Sequence, residues 1–259
     1  MLSGPVSRNL LNKVPEVTLS FWLIKIMSTT VGETGADYLA VNIGLGTIVT
    51  ASITASLLTL ALVAYLRAKA FIPWLYWLTV VLVSIVGTQI TDLLSDGMGI
   101  SLYVSTSAFA VTLSAIFLVW YLNERTLSIQ AIDTPRREVF YWAAILCTFA
   151  LGTAAGDLAT EALGLGFQVG VIVFGVLIAL TIGAFYLGAN IVLTFWIAYI
   201  LTRPLGAALG DLLAQAQSYG GLGIGATTTS VLFLTVIVVM VALAQRNAPE
   251  GSVTSPSRR

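Results

Sequence analysis

The chain has 259 residues, of which 58% are apolar and only 9% are charged, whereas soluble proteins average roughly 25% charged residues. Twelve basic and twelve acidic residues leave no net charge, and this balance provides no basic surface for nucleic acid. One cysteine and no histidine argue against disulfides, soft-metal sites and imidazole acid–base chemistry. Composition therefore predicts a polytopic membrane protein that handles its substrate with oxygen ligands.

Hydropathy predicts eight membrane spans, each near the ~20 residues that cross a hydrocarbon core. They cover residues 17–42, 46–66, 74–95, 99–121, 138–162, 167–187, 190–214 and 222–244. Lipid offers backbone groups no hydrogen-bond partner, so every span should be helical and the fold all-α. The opening residues 1–16 lack the apolar core and cleavage site of a signal peptide, which predicts that the first span stays in the membrane.

One short pattern occurs four times along the chain. An aromatic pair ending in Trp is followed by Gly ten residues after the Trp, and by Asp five residues after the Gly. The copies are Phe21-Trp22, Gly32 and Asp37; Tyr76-Trp77, Gly87 and Asp92; Tyr141-Trp142, Gly152 and Asp157; and Phe195-Trp196, Gly206 and Asp211. A recurring unit of this length indicates repeats. We predict four parallel two-helix repeats, with the motif on each odd-numbered helix.

The repeats and their connections follow from these spans. We assign repeats to 17–66, 74–121, 138–187 and 190–244, with a polar linker at 123–137 between the two halves. A cytoplasmic N-terminus covers 1–16, and the tail 245–259 has the composition of a disordered segment. Each even-numbered span follows a Gly-x-Gly turn, where the glycines are expected to end helices and allow close packing.

Basic residues predict the orientation of the chain. Outside the spans they avoid the Gly-x-Gly turns and lie at the opposite ends of the helices, at Arg8, Lys13, Arg67, Lys69, Arg125, Arg136, Arg137, Arg246, Arg258 and Arg259. The positive-inside rule then places both termini and the longer loops in the cytoplasm. We expect a multi-pass protein of a bacterial inner membrane.

The motif predicts a layered arrangement along the membrane normal. Repeats that enter from the same side place equivalent residues at one depth around a common axis. The tryptophans should lie at the cytoplasmic interface as an aromatic belt. Each Asp lies fifteen residues beyond its Trp, ~22 Å further along a helix. The four carboxylates should therefore form a ring or two pairs in the outer half of the membrane.

A polar stripe marks the first helix. Lys25, Thr29, Glu33 and Asp37 recur every four residues and so share one helical face. The other odd helices carry further polar residues at Ser84 and Thr88, at Thr153, and at Arg203. Arg203 precedes Asp211 by eight residues, and we expect Asp211 to be its partner. Pro204 should kink or break that helix.

The buried charges do not balance. The spans contain only two basic residues, Lys25 and Arg203, against five acidic ones: Glu33, Asp37, Asp92, Asp157 and Asp211. An ionised group at mid-membrane costs at least ~2.5–3.5 kcal/mol, so protons or a bound cation must neutralise the surplus. Carboxylates and hydroxyls suit hard ions, with Glu33 and Asp37 as candidate metal ligands.

The whole of 14–244 resembles a bacterial membrane-protein family of four tandem repeats of unknown function, each with two transmembrane segments and a characteristic Trp. Trp22, Trp77, Trp142 and Trp196 match it, as does the stretch from Lys13 to Thr34. The resemblance implies the eight-helix architecture and no activity. Glu33-Thr34-Gly35-Ala36-Asp37 also resembles the Glu-x-Gly-Asp motif of a cation-exporter family for calcium and manganese, with one residue inserted.

We therefore expect a membrane transporter or channel-like protein for a small cation that the five carboxylates bind. This cation is either a hard divalent metal, such as Mn²⁺, or H⁺. One alternative is a scaffold or sensor with a structural polar network. Another is a transporter of a small organic or anionic solute through Lys25 and Arg203. No hydrolase or nucleotide motif occurs, so we expect neither an enzyme nor a cofactor beyond a bound cation. Glu33 is the carboxylate that we expect to be least explained by structure.

Overall fold

The computed structural model describes residues 12–42, 44 and 46–246, and this part of the chain contains eight helices and no strand. Predictions for residues 1–11 and for the tail from 247 onward lie outside these residues. The helices are α1 (Leu19–Asp37), α2 (Thr47–Arg67), α3 (Pro73–Asp92), α4 (Leu102–Glu124), α5 (Pro135–Asp157), α6 (Gly166–Tyr186), α7 (Ile191–Ala214) and α8 (Ala226–Arg246).

Seven of these helices, α2 to α8, are long and apolar enough to cross a membrane. The described part of the chain is thus all-helical, as predicted, and its apolar helices make it a multi-pass membrane protein. Helix α1 has 19 residues, but it is outside that set. It carries Lys25, Glu33 and Asp37, and these charges lower its hydropathy.

The four motif helices form a closed inner ring. Helix α1 packs on α3 and α7, and α5 packs on the same two helices from the other side. The even-numbered helices form an outer layer, in which α2 packs on α3, α4 on α5, α6 on α7 and α8 on α1. Each outer helix thus packs mainly on the inner helix of the following repeat, and α8 closes the circle on α1.

Burial separates the two layers. In their most apolar 18 residues, α3 and α5 bury 67% of the positions, whereas α4 and α6 bury 11%. The outer helices expose long apolar side chains such as Val111, Leu118, Ile172 and Leu180. Such a surface suits lipid, and the inner ring suits a protein core.

The motif glycines hold neighbouring inner helices together. A Cβ atom added at Gly87 would lie 2.8 Å from Cβ of Phe149 on the next inner helix. The same substitution would clash with Ser84 at Gly32, with Arg203 at Gly152 and with Thr29 at Gly206. Each of these neighbours lies three residues before the motif glycine of the following repeat. The repeats therefore make one contact four times around the ring.

The motif aromatics close one end of the ring. The first aromatic residue of each repeat packs on the Trp of the next, with ring centroids 5.6 Å apart for Phe21–Trp77, 5.6 Å for Tyr76–Trp142, 6.4 Å for Tyr141–Trp196 and 5.6 Å for Phe195–Trp22. We call these eight residues the aromatic floor. Two of its hydroxyl groups, those of Tyr76 and Tyr141, are 2.6 Å apart and buried.

The aromatic floor corrects one prediction. Trp77, Trp142 and Trp196 are at most 5% exposed, and Trp22 is half-buried. The expectation of a lipid-facing aromatic belt is wrong for the three buried tryptophans, because the ring contacts between repeats cover their indoles. The indole N–H of Trp196 donates to the carbonyl of Leu127 in the linker at 2.9 Å.

The opposite ends of the inner helices have a feature that the sequence did not predict. A π-helical turn follows directly after the motif Asp in the first three repeats, at Tyr38–Asn42, Leu93–Gly97 and Leu158–Ala162. In the fourth repeat Asp211 lies inside α7, which continues to Ala214 and then becomes extended. Helix α7 also runs through Pro204 without a break. Turns of this kind are rare and frequently occur at functional sites.

The Gly-x-Gly turns end the helices, as predicted. Their second glycines all have left-handed backbones, with φ between +67° and +76° at Gly46, Gly99, Gly166 and Gly223. A Cβ atom at the first three would touch nothing. These three glycines therefore serve backbone conformation, whereas the expected close packing is found at Gly221, where a Cβ atom would clash with the carbonyl oxygen of Gln215.

Candidate functional site

Arg203 lies at the centre of the inner ring and is fully buried. Its Nη2 atom is 2.8 Å from Glu33 Oε2 on α1 and 2.7 Å from Thr153 Oγ1 on α5, and it also contacts Thr88 Oγ1 on α3. Its Nη1 atom donates to the carbonyl of Thr29 at 3.1 Å. One side chain from α7 thus bonds to all three other inner helices.

Three of these partners occupy one position of the repeat. Glu33, Thr88 and Thr153 each follow the motif glycine directly, and the fourth repeat has Ala207 there. The small side chain of Ala207 is buried, and Arg203 extends into the layer from one helical turn earlier. The fourth repeat therefore supplies a cation where the other three supply oxygen atoms.

Glu33 is the ion-pair partner of Arg203, with 2.8 Å between Oε2 and Nη2. The sequence pointed to Asp211 for this role. Charge-assisted bonds between a carboxylate and a guanidinium are among the stronger hydrogen bonds in proteins. The expectation that structure leaves Glu33 least explained is therefore wrong.

Lys25 occupies the next layer toward the aromatic floor and is 1% exposed. Its ammonium group donates to Thr202 Oγ1 at 3.0 Å and lies 4.1 Å from the ring centre of Tyr199 and 4.4 Å from that of Phe149. Lys25 and Glu33 thus both bond to side chains of α7. Within the described part of the chain Lys25 has no carboxylate partner, and its charge rests on two aromatic faces and a hydroxyl group.

The motif carboxylates lie on the other side of Arg203. Asp157 is close enough to Glu33, Asp92 and Asp211 for their charges to interact with its own, and Glu161 in the following π turn is also in range. Asp211 is buried, and Asp92 and Asp157 are half-buried. Asp37 ends α1, and its side chain lies outside the described atoms. We call Glu33, Asp92, Asp157 and Asp211 the axial carboxylates.

The axial carboxylates are near each other without forming a compact metal cage. Among the side chains that the structure describes, no group of three or more Asp, Glu, His or Cys residues is arranged to hold a metal ion. Charges interact over distances longer than a coordination bond, so these carboxylates can affect each other without lying close enough to share one metal ion. The predicted metal-ligand pair of Glu33 and Asp37 lies partly outside the described atoms, which do not include the side chain of Asp37.

Two clefts lie elsewhere on the molecule. A polar cleft of about 370 Å³ is formed by the linker around Glu124, Ser128 and Arg137. An apolar groove of about 320 Å³ lies between Trp74 on α3 and Leu234 on α8. Neither is lined by Lys25, Arg203 or an axial carboxylate, and so neither reaches the charged centre of the ring.

The supporting polar residues divide into two groups. Thr88 and Thr153 bind Arg203 directly, and Thr29 contributes its carbonyl. Ser84 instead lies against Gly32, and its hydroxyl has no hydrogen-bond partner among the described residues. The sequence did not identify Phe149, Tyr199 and Thr202, because residues of these types in an apolar helix look like ordinary core.

Four segments of the chain match a family described as Repeat of Unknown Function (DUF347), at residues 20–71, 75–126, 140–188 and 194–248. The chain belongs to this family. The matched segments confirm the predicted family of four tandem repeats and give the closed ring a simple origin in repetition of one unit. No curated protein and no solved structure matches the chain.

Proposed function

We propose that this DUF347 protein is a membrane transporter or channel-like protein for a small cation, and that the cation is H⁺. The observation that carries the proposal is the group of axial carboxylates, in which Asp157 lies within electrostatic range of the other three and Glu33 bonds to the cation Arg203. Fully ionised, four carboxylates and the bases Arg203 and Lys25 leave a surplus of negative charge in the bundle. Protons on the surplus carboxylates remove that charge.

We infer H⁺ rather than a hard divalent metal from the arrangement of the described acids. A metal such as Mn²⁺ requires several oxygen ligands around one point, and the described acids do not converge in that way. A proton requires only one carboxylate at a time, and it passes to a neighbouring carboxylate through a hydrogen bond or one bridging water. The hydroxyl of Thr88 lies 3.5 Å from Glu33 Oε2, and the hydroxyl of Thr153 accepts from the same Arg203 Nη2 atom as Glu33, so both hydroxyls extend the polar path inside the ring.

Helix α1 completes the membrane domain in this proposal as an eighth span. Its charged residues count against insertion only when they are unpaired, and Glu33 bonds to Arg203 while Lys25 lies between aromatic rings. The positive-inside rule then places both termini and the aromatic floor on the cytoplasmic side of a bacterial inner membrane. The carboxylate ends of the inner helices face the exterior.

The proposed route has an open end and a closed end. Half-buried Asp92 and Asp157 lie beside π turns near the exterior, and exposed Asp96 lies within one of those turns. The aromatic floor closes the cytoplasmic end with buried rings. Transport through the ring therefore requires rearrangement of the floor, as alternating access does in other repeat-built transporters.

A second candidate is a non-transporting scaffold or sensor. It is favoured by the bonds from Arg203 to the other three inner helices, since such a network also holds a ring together without any passage. Scaffold and transporter differ in one respect. A transporter needs the carboxylates of Asp92, Asp157 and Asp211 to change protonation, whereas a scaffold does not.

Proteoliposomes that contain a pH-sensitive dye provide the test. A potassium diffusion potential of either sign drives H⁺, and the rate of internal pH change is compared between the wild type and a triple variant, Asp92→Asn with Asp157→Asn and Asp211→Asn. Asp133→Asn in the linker is the matched control. We expect flux from the wild type and the control, and background rates from the triple variant. A background rate of pH change in the wild type under both potentials would support the scaffold. Mn²⁺ uptake without H⁺ flux would show that the transported ion is the metal.

A further inference from the structure

A short segment before α1, residues 12–14, docks across the cytoplasmic end of the bundle. The Nζ atom of Lys13 is 2.8 Å from Glu138 Oε1 and 3.0 Å from Oε2, and it donates to the carbonyl of Leu66 at 3.4 Å. The backbone N–H of Lys13 donates to the carbonyl of Ile132 at 3.3 Å. The next residue, Val14, is buried. This segment therefore joins the end of α2, the linker and the start of α5.

Glu138 is a specialised residue of the third repeat. It lies four residues before Trp142, where the other repeats have Thr18, Pro73 and Val192. It is 2% exposed and lies in the first turn of α5, where the helix dipole favours a negative charge. A buried carboxylate needs a partner, and Lys13 provides it.

The docked segment also holds the aromatic floor. The hydroxyl group of Tyr65 donates to the carbonyl of Lys13. The ring of Tyr65 is fully packed against that floor, 5.1 Å from Trp142 and 6.2 Å from Tyr76. Tyr76 in turn shares a hydrogen bond with Tyr141. A continuous set of contacts thus runs from Lys13 to the residues that close the ring.

We propose that residues 12–14 form a latch that keeps the cytoplasmic end of the ring closed, with the Lys13–Glu138 ion pair as its fastening. The latch rests on the proposed function, because closure matters only if the ring conducts. When the ion pair breaks, Lys13 leaves its site, Tyr65 loses the acceptor for its hydroxyl group, and the floor loses its outer support. Release of the latch is then a step that precedes opening.

Two independent readouts test the latch. The first is the rate at which trypsin cleaves the full chain after Lys13 in a lipid nanodisc, relative to cleavage after the exposed Lys69. The second is H⁺ flux in the proteoliposomes described above. Glu138→Gln keeps the size of the side chain and removes its charge, and Lys13→Met removes the cation. Asp133→Asn, which breaks the Asp133–Arg137 ion pair of the linker and leaves Lys13 paired, is the control.

We expect Glu138→Gln to speed cleavage after Lys13 roughly tenfold, the size of shift that loss of one charge-assisted bond produces. Glu138→Gln and Lys13→Met, which both release the latch, should raise H⁺ flux by a similar factor. The control should match the wild type in both readouts. The charge exchange Lys13→Glu with Glu138→Lys should return the flux toward the wild-type rate.

The outcomes separate the latch from the transporter. Wild-type flux that stays unchanged in both released variants would overturn the latch and leave the proposed function standing. Flux that appears only in Glu138→Gln and Lys13→Met would support the latch, and it would show that a background rate in the wild type reflects a closed ring and not a scaffold. Background flux in every chain, with faster cleavage after Lys13 in Glu138→Gln, would refute transport and with it the gating role of the segment. If Glu138→Gln fails to fold, Lys13→Met carries the flux test alone.

Discussion

The aromatic floor and the central layer around Arg203 are built from the same four helices in opposite ways. In the floor every repeat supplies an aromatic pair, and the same contact occurs between each pair of neighbours. In the central layer three repeats supply Glu33, Thr88 and Thr153, and the fourth supplies Arg203 from a different position. One end of the axis has kept the symmetry of the repeat, and the centre has lost it.

This difference separates the contacts that close the ring from the residues that ring closure does not require. A contact made four times is sufficient to close a ring, and the motif glycines and aromatics provide it. A buried ion pair such as Arg203–Glu33 adds a desolvation cost that ring closure does not require. In the charged layers of the inner ring, the residues that break the repeat symmetry are divided between the first repeat, with Lys25 and Glu33, and the fourth, with Arg203.

The largest expected effect comes from removing the cation of the central layer. Arg203→Leu leaves Glu33 buried without its partner, and loss of one member of a buried pair costs about 3–5 kcal/mol. Unfolding of the purified protein in SDS titrations measures this cost. The double variant Arg203→Leu with Glu33→Leu should recover most of it, since both charges are gone. A double variant that is as unstable as the single one would show that Arg203 acts mainly through the threonines.

Substitution of a motif glycine tests the contact that is repeated between neighbouring inner helices. Gly152→Ala places a methyl group against Arg203 and Pro204, and we expect a cost of about 1–3 kcal/mol from overpacking. Gly175→Ala on α6 is the matched control, because nothing lies within 4 Å of the added methyl. Equal stabilities of the two variants in the same SDS titration would contradict the close approach of α5 and α7.

The smallest effect is expected inside the floor. Tyr76→Phe or Tyr141→Phe removes the buried hydrogen bond between their hydroxyl groups, worth about 1 kcal/mol. Tyr103→Phe, at an exposed position, should be neutral. A double-mutant cycle of the two floor residues measures their coupling, and a coupling of zero would show that the two hydroxyl groups have other partners.

Much of this fold could be predicted from the sequence because the spacing of the motif residues is the same in all four repeats. The common offsets of Trp, Gly and Asp predicted four equivalent helices around an axis, and Gly32, Gly87, Gly152 and Gly206 indeed make equivalent contacts. The eight predicted spans fall on the eight helices. Period and hydropathy are local properties of a chain, so a single sequence contains them.

The partners of the charged residues could not be predicted in the same way. Arg203 meets Glu33 because α7 is adjacent to α1 across the closure of the ring, and spacing along one helix says nothing about that adjacency. The sequence argument looked along α7 and chose Asp211. The π turns were missed for a related reason, since an i→i+5 bond has no residue signature that separates it from an α-helical end.

The most direct test compares Asp157→Asn with Glu33→Gln, measuring H⁺ flux and thermal stability on the same preparations, with Asp133→Asn as the control. Asp157 lies among like charges, so its neutral variant should stop the flux and leave the protein as stable as the wild type or more so. Glu33→Gln should lower stability, because Arg203 loses its counterion. The opposite pattern, in which Asp157→Asn conducts H⁺ at the wild-type rate and unfolds at a lower temperature, would make the axial carboxylates a structural network and contradict the proposed transport.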